Sequence, residues 1–161
     1  MTINVLKPGL ATTVQDAGRE GYYHLGIPPS GALDLRSMHM ANLLVRNTPT
    51  AAVLEMTLLG PELHFTEDAL VAVCGAGMTP IIDNQPAQTH TALYIRAGQN
   101  VRFAPARQGC RAYLAVTGGI DVPLVLGSRS TYTLGALGGY QGRRLAAGDQ
   151  LSVIPVGDAQ F

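Results

Sequence analysis

Seven side chains in two short segments carry the types and spacing from which a binding site could be built. Gln15, Asp16 and Arg19 fall in the stretch TTVQDAGREGYYHLGIPPSGALD, residues 12–34, and Ser128, Arg129, Ser130 and Thr131 run consecutively in LGSRST. An arginine bracketed by hydroxyls in a glycine-rich loop can hold a carboxylate or phosphate through short charged hydrogen bonds. Capping of turns is the plainer use of the same hydroxyls. Asp16 and Arg19, three residues apart, either pair and pin the first loop or leave Arg19 facing an open pocket for an anion. We expect the pinning role for Asp16 and leave Arg19 open. Ser30, just before a helical pattern, reads as a cap ahead of a substrate contact. Glu55 sits in the otherwise apolar run AVLEMTLLG. It either finds a partner in the core or faces outward on an edge strand, because an unpartnered buried carboxylate shifts toward its neutral form.

Other chemistries find little support. The phosphate-loop pattern GxxxxGK[ST] and the nucleophile pattern GxSxG are absent. Gly75-Ala76-Gly77 follows an apolar strand, but Thr79-Pro80 comes next where a dinucleotide fold would open a helix. His24, His39, His64 and His90 are widely separated, so no metal is expected in this chain. Cys74 and Cys110 make no disulfide framework and read as free thiols in a reducing compartment.

These residues need elements to position them. Four glycines and two prolines in residues 12–34 leave no strand or helix period, so the stretch is an ordered loop anchored by Val14, Tyr22, Tyr23, Leu25 and Ile27. From Asp34 to Asn47 the spacing of Leu35, Met38, Ala41, Asn42 and Val45 predicts a helix with Asp34 or Ser30 as its cap. It is the one helix of the chain.

Residues 3–6 form an opening strand. From Ala51 the period becomes two, so Val53–Leu59 is a strand, and Glu62–Thr66 follows as its hairpin partner. Ala69–Cys74 is apolar throughout, as in a strand buried on both faces. Shorter strands follow at residues 80–83, 92–96 and 101–104, then a strong one at Arg111–Thr117. A second glycine-rich loop spans Leu126–Gly142, and a last strand covers Gln150–Pro155. Eight or nine short strands at this spacing make a mainly β fold, a sandwich or barrel.

The chain has 161 residues, 47% of them apolar and 14% charged, with a formal net charge of zero. That predicts one domain over residues 1–161, with part of its surface covered by a partner. Scattered basic residues exclude a nucleic-acid footprint and an anionic-lipid patch. The opening MTINVLKPG has no signal-peptide pattern and no apolar run approaches a membrane span, so the chain reads as cytoplasmic.

Taken in order, TTVQDAGREGY, SGALD, the helix with ANLLV, LEMTLLGPELHF, RAYLAVTGGIDVP, LGSRST and GRRLAAGDQL resemble the KipA-like proteins. That family is also known as the C component of 5-oxoprolinase, and is related to allophanate-hydrolase subunits and to the carboxyltransferase part of urea carboxylase. The resemblance implies a cyclophilin-like β-barrel that acts with a KipI-like partner (the B component of 5-oxoprolinase) and a LamB/YcsF-like partner (the A component). Such a complex opens 5-oxoproline to glutamate with ATP. In that setting Gln15, Asp16, Arg19, Ser128, Arg129, Ser130 and Thr131 would bind substrate, and no residue is assigned as catalytic.

Family members are about twice this length. The chain then corresponds to the N-terminal half, whether as a fragment, a short paralogue or one part of a split gene. Two alternatives stay open: a non-catalytic module that docks a KipI-like protein, and half of a biotin-dependent carboxyltransferase acting on urea-like amides. Lys7 is the only lysine and lacks a biotin-attachment context, so any biotin would arrive on a separate carrier.

Overall fold

The computed structural model describes residues 1–155. In chain order the elements are β1 (Thr2–Lys7), β2 (Ala11–Gln15), a single 3₁₀ turn (Tyr23–Leu25), α1 (Leu35–Leu44), β3 (Val53–Thr57), β4 (Glu62–Phe65) and β5 (Ala69–Gly75). Then come β6 (Pro80–Ile82), β7 (Gln85–Pro86), β8 (Ala92–Ile95), β9 (Asn100–Phe103), β10 (Arg111–Val116), β11 (Ile120–Asp121) and β12 (Gln150–Val153). Over the described residues the fold is mainly β with one α-helix, as expected.

Two antiparallel sheets face one another, one ordered β11-β12-β1-β4-β9-β6-β7 and the other β2-β3-β10-β5-β8. Alternation along each strand sends Ile3, Val5, Leu63, Phe65, Val101 and Leu151 from the first sheet into a shared core. Val14, Leu54, Met56, Val71, Val73, Leu114 and Val116 meet them from the second. The far side of the second sheet is also covered. There Met38, Ala41 and Val45, from α1 and its C-terminal cap, pack on Val53, Ala72, Cys74, Tyr113 and Ala115. Burial on both faces is why β5 reads as an unbroken apolar run, and why β10 is apolar from Ala112 to Val116.

The helix is capped by Asp34, whose carboxylate accepts from the Ser37 backbone N–H at 3.1 Å and its hydroxyl at 2.6 Å. Those bonds hold the Asp34 carboxyl below its ordinary value. Ser30 takes no part in the cap; its φ is +57° and it belongs to the loop. The helix also ends at Leu44, short of the expected Asn47, because Arg46 turns left-handed at φ +60°. Asn47 instead donates to the Val116 carbonyl at 2.8 Å and accepts from Gly118 N–H at 2.8 Å, tying the helix end to β10.

One pairing differs from expectation. β4 is not the hairpin partner of β3. β3 pairs β2 and β10, whereas β4 pairs β1 and β9, so Gly60-Pro61 carries the chain from one sheet to the other. The reason is local. Leu58 is left-handed at φ +56° and its N–H bonds the Cys110 carbonyl, and the chain leaves the sheet before a tight hairpin can close. β3 is accordingly an interior strand, and Glu55 faces the helix side with three partners. Its Oε2 accepts from the Tyr113 hydroxyl and the Leu33 N–H, both at 2.9 Å, and its Oε1 lies 3.5 Å from Arg111 Nε.

Tyr113 is fully buried and also accepts from Asp34 N–H at 2.8 Å, so one phenol joins the sheet to the loop ahead of the helix. Burial raises its pKa and keeps the hydroxyl protonated as a donor to Glu55. Tyr113→Phe is expected to cost about 1–2 kcal/mol in urea unfolding, since it removes a part-buried hydrogen bond to Glu55 and the acceptor of the Asp34 N–H.

Cys74 is buried and Cys110 exposed, and both are free. Desolvation pushes the Cys74 thiol up to about 11, as befits a packing residue.

Candidate functional site

The two glycine-rich loops meet at the open edge of β2, through contacts between residues more than a hundred positions apart. Thr131 N–H and its hydroxyl both donate to the Val14 carbonyl, at 3.0 and 2.8 Å, and Leu145 N–H donates to the Thr12 carbonyl at 2.9 Å. The second loop thus covers an edge that would otherwise be free to recruit another strand.

Asp16 is the centre of this junction. It is 8% exposed, and its carboxylate accepts four hydrogen bonds. Ser128 Oγ donates at 2.6 Å, Ser130 Oγ at 2.5 Å, Arg129 N–H at 2.6 Å and Gly18 N–H at 2.8 Å. The Asp16 N–H in turn donates to Ser130 Oγ at 2.9 Å. Asp16 does pin the loop, but its partner is not Arg19: among the described residues no ion pair joins them.

Arg19 is 2% exposed and spends its guanidinium on neutral acceptors. It reaches the Val125 carbonyl at 3.4 Å, Ser30 Oγ at 3.2 Å and the Ser130 carbonyl. A buried cation needs such acceptors to offset lost hydration. The first loop also closes on itself, with Arg19 N–H on the Pro29 carbonyl at 2.8 Å and Ala32 N–H on the Asp16 carbonyl at 3.0 Å. Gln15 donates to Thr13 Oγ1 at 3.0 Å and the Thr131 carbonyl at 3.3 Å, while its buried Oε1 has no partner.

The seven residues are therefore brought together, but they divide by access. Gln15, Asp16, Arg19, Ser128, Ser130 and Thr131 are buried in a polar latch between the loops. Arg129 differs. Its Nε donates to the Val122 carbonyl at 2.9 Å, and its terminal amino groups have no partner among the described residues. It lines a cleft of ≈ 350 Å³ together with Asp121, Val122, Pro123, Leu124 and Ser152. Chemically this is a fixed guanidinium, aimed by its own backbone bond to Asp16, with two donor groups left for an anion.

A larger cleft of ≈ 440 Å³ adjoins it over the turn 138–142. That turn is held against the latch. A Cβ on Gly138, at φ +66°, would lie 2.2 Å from the Ser130 carbonyl oxygen and 2.6 Å from Arg19 Nη2. Gly138→Ala is expected to cost about 2–4 kcal/mol from strain and forced displacement together. Gly127→Ala, at φ +78° in open space, should cost only about 1 kcal/mol. Equal losses in urea unfolding would contradict this packing.

From below, Asp149 grips Arg143 at 2.7 and 2.8 Å, and the Arg143 guanidinium sits 5.3 Å from the Tyr140 ring centre. The hydrogen bond from Arg143 holds the Asp149 carboxyl below its ordinary 3.8. A carboxyl lowered by folding stabilises the fold above its unfolded value and loses that contribution as pH falls through the folded one. The stability of Asp149→Asn should accordingly fall less steeply than wild type below about pH 4. Parallel acid-unfolding curves would refute the pairing.

The residues missed by sequence reasoning are those of the larger cleft: Asp121, Tyr140, Gln141, Gln150 and Ser152. The paired glycines of GGYQG were the available signal. Among the described residues no group of three His, Cys, Asp or Glu side chains could hold a metal ion, and no helix is long and apolar enough to cross a membrane.

Comparison with known proteins adds a family to this geometry. A family model described as carboxyltransferase domain, subdomain A and B, matches residues 25–160. Urea amidolyase of Lachancea kluyveri is 43% identical over 148 residues, 91% of this chain and 8% of that protein. The C component of 5-oxoprolinase from Escherichia coli is 42% identical over 151 residues, 94% of this chain and 49% of that protein. The crystal structure of Kluyveromyces lactis urea carboxylase superposes with a TM-score of 0.92 at 41% identity, covering 94% of this chain and 14% of that one. The chain thus spans about half of the bacterial relative and a small part of the fungal ones.

Proposed function

The chain belongs to the carboxyltransferase family, subdomain A and B, and from that premise we propose that it is the substrate-gripping part of an ATP-dependent 5-oxoprolinase that opens 5-oxo-L-proline to L-glutamate. The observation that carries this reading is Arg129, held rigid by the Asp16 latch with its terminal amino groups unspent at a cleft. A bidentate guanidinium suits the carboxylate of a small amide-bearing acid. The relatives from Escherichia coli and Haemophilus influenzae are each named as one subunit of a 5-oxoprolinase, which supports a multi-subunit setting. In this proposal the partners are a KipI-like protein (the B component) and a LamB/YcsF-like protein (the A component), in the cytoplasm.

Two common phosphate-binding features are already occupied in the described residues. Lys7, its only lysine, is paired with Glu62 at 2.7 Å, and the N-terminus of α1 is closed by the Asp34 carboxylate, which repels phosphate. Nor does Lys7, in a strand, offer a biotin attachment point. ATP, or biotin in the carboxyltransferase alternative, would be brought by another protein, and no step through either is assigned to this chain. What it contributes is orientation of the substrate, an effect that can supply several kcal/mol of a barrier.

A second reading, a docking module without chemistry, draws on exposed apolar side chains. Tyr23 is 72% exposed, Leu33 75% and Leu134 91%. The experiment is reconstitution of the three-component complex, followed by 5-oxoproline-dependent ATP hydrolysis with and without this chain. Dependence on the chain supports the first reading. Binding to the KipI-like protein with no effect on turnover supports the second.

A further inference from the structure

We infer that the two adjoining clefts form one two-part site, with Arg129 taking a carboxylate and the glycine turn 138–142 taking a neutral cyclic amide. This rests on the carboxylate-gripping role proposed for Arg129 and adds a place for the other end of the ligand. The clefts share Asp121, Val122, Pro123 and Ser152, so a single small molecule can touch both.

Their chemistries differ in a complementary way. The smaller has the guanidinium. The larger is lined by no cation, so it offers an anion no partner of its own, and the exposed carboxylate of Asp121 lies on the rim that the two clefts share. Its walls are the apolar Val122 and Val125 and the Tyr140 ring. Its polar groups are the Gln141 and Gln150 carboxamides, the Ser152 hydroxyl and Asp121. In addition the backbone N–H groups of Gly138, Tyr140 and Gln141 donate to nothing within the described chain. A neutral amide needs this combination. Its N–H finds the Asp121 carboxylate or a carboxamide oxygen, its carbonyl finds an unspent backbone N–H, and its ring methylenes find the apolar walls.

The turn is also rigid enough to discriminate. Gly139 and Gly142 have φ +55° and +67°. A Cβ on either would meet Thr131 Oγ1 at 1.9 Å or the Ala136 carbonyl oxygen at 2.2 Å. The turn is pressed onto the same latch that orients Arg129, so the carboxylate and amide positions are held in one frame. A site fixed in this way spends little of its affinity on ordering itself.

The test titrates three probes against the full chain by calorimetry: 5-oxoproline, 2-pyrrolidinone (the lactam without the carboxylate) and cyclopentanecarboxylate (the carboxylate without the lactam). Arg129→Ala is expected to weaken 5-oxoproline by about 10-fold or more and to leave 2-pyrrolidinone unchanged. Ser152→Phe, an exposed strand position, should weaken both by filling the shared rim. In the wild-type chain, amide NMR signals of Gly138, Tyr140 and Gln141 should shift with 5-oxoproline and with 2-pyrrolidinone, but not with cyclopentanecarboxylate. The inference is overturned if those amides stay still with the lactams, or if Ser152→Phe binds them as wild type does. Its failure is separable from that of the proposed function. Amides that ignore lactam in a complex that still hydrolyses ATP would remove the subsite alone. Amides that respond in a complex without turnover would remove the function alone.

Discussion

Asp16→Ala is expected to lower the stability of the chain by about 3–5 kcal/mol, the largest single-residue effect in the junction. The carboxylate serves two hydroxyls and two backbone N–H groups, all within 2.8 Å. Truncation leaves these donors facing a methyl group in a region that water scarcely reaches. Asp16→Asn keeps the shape but replaces one acceptor oxygen by a donor group, and should fall between wild type and Ala. For a domain of this size the Ala variant should melt roughly 10 °C lower. A loss under about 1 kcal/mol would mean that the loops hold together without their carboxylate. Functionally the same variant frees the Arg129 backbone, so any anion affinity should fall with it.

The contrast between what could and could not be read from the sequence follows from range. Local chemistry was legible. Asp34 as a cap, the apolar helix face of Met38, Ala41 and Val45, and the doubly buried β5 all depend on neighbours within a turn or on simple alternation. The seven candidate residues were also identifiable by type, and they do come together.

What could not be read was who pairs with whom. Asp16 meets Ser128 and Ser130 across more than a hundred residues, and nothing in the spacing of Asp16 and Arg19 warns that they ignore each other. The supposed β3–β4 hairpin fails for a related reason. Alternation predicts two strands and Gly60-Pro61 predicts a turn, but only the three-dimensional course decides whether the chain stays in its sheet. Glu55 shows the same limit. Its apolar context allowed either an edge or a partner, and the partner, Tyr113, lies 58 residues away.

The larger cleft was invisible because glycines and carboxamides carry little chemical signature until a fold closes them around a space. Exposure likewise cannot be inferred from residue type. Arg19 and Arg129 look equivalent in sequence, yet one is sealed behind Gly138 and the other faces a cleft.

The central claim is that the latch exists to present Arg129. It is tested most directly by 5-oxoproline-dependent ATP turnover of the reconstituted complex carrying Arg129→Ala, with Arg129→Lys and the melting temperature of each chain measured alongside. Loss of a bidentate carboxylate grip costs about 3 kcal/mol, so turnover at limiting substrate should fall about 100-fold in the Ala variant. Lys, which keeps the charge but not the fork, should recover part of it, and both chains should melt near the wild-type temperature. Wild-type turnover by the Ala variant, in a chain that folds normally, would contradict the account.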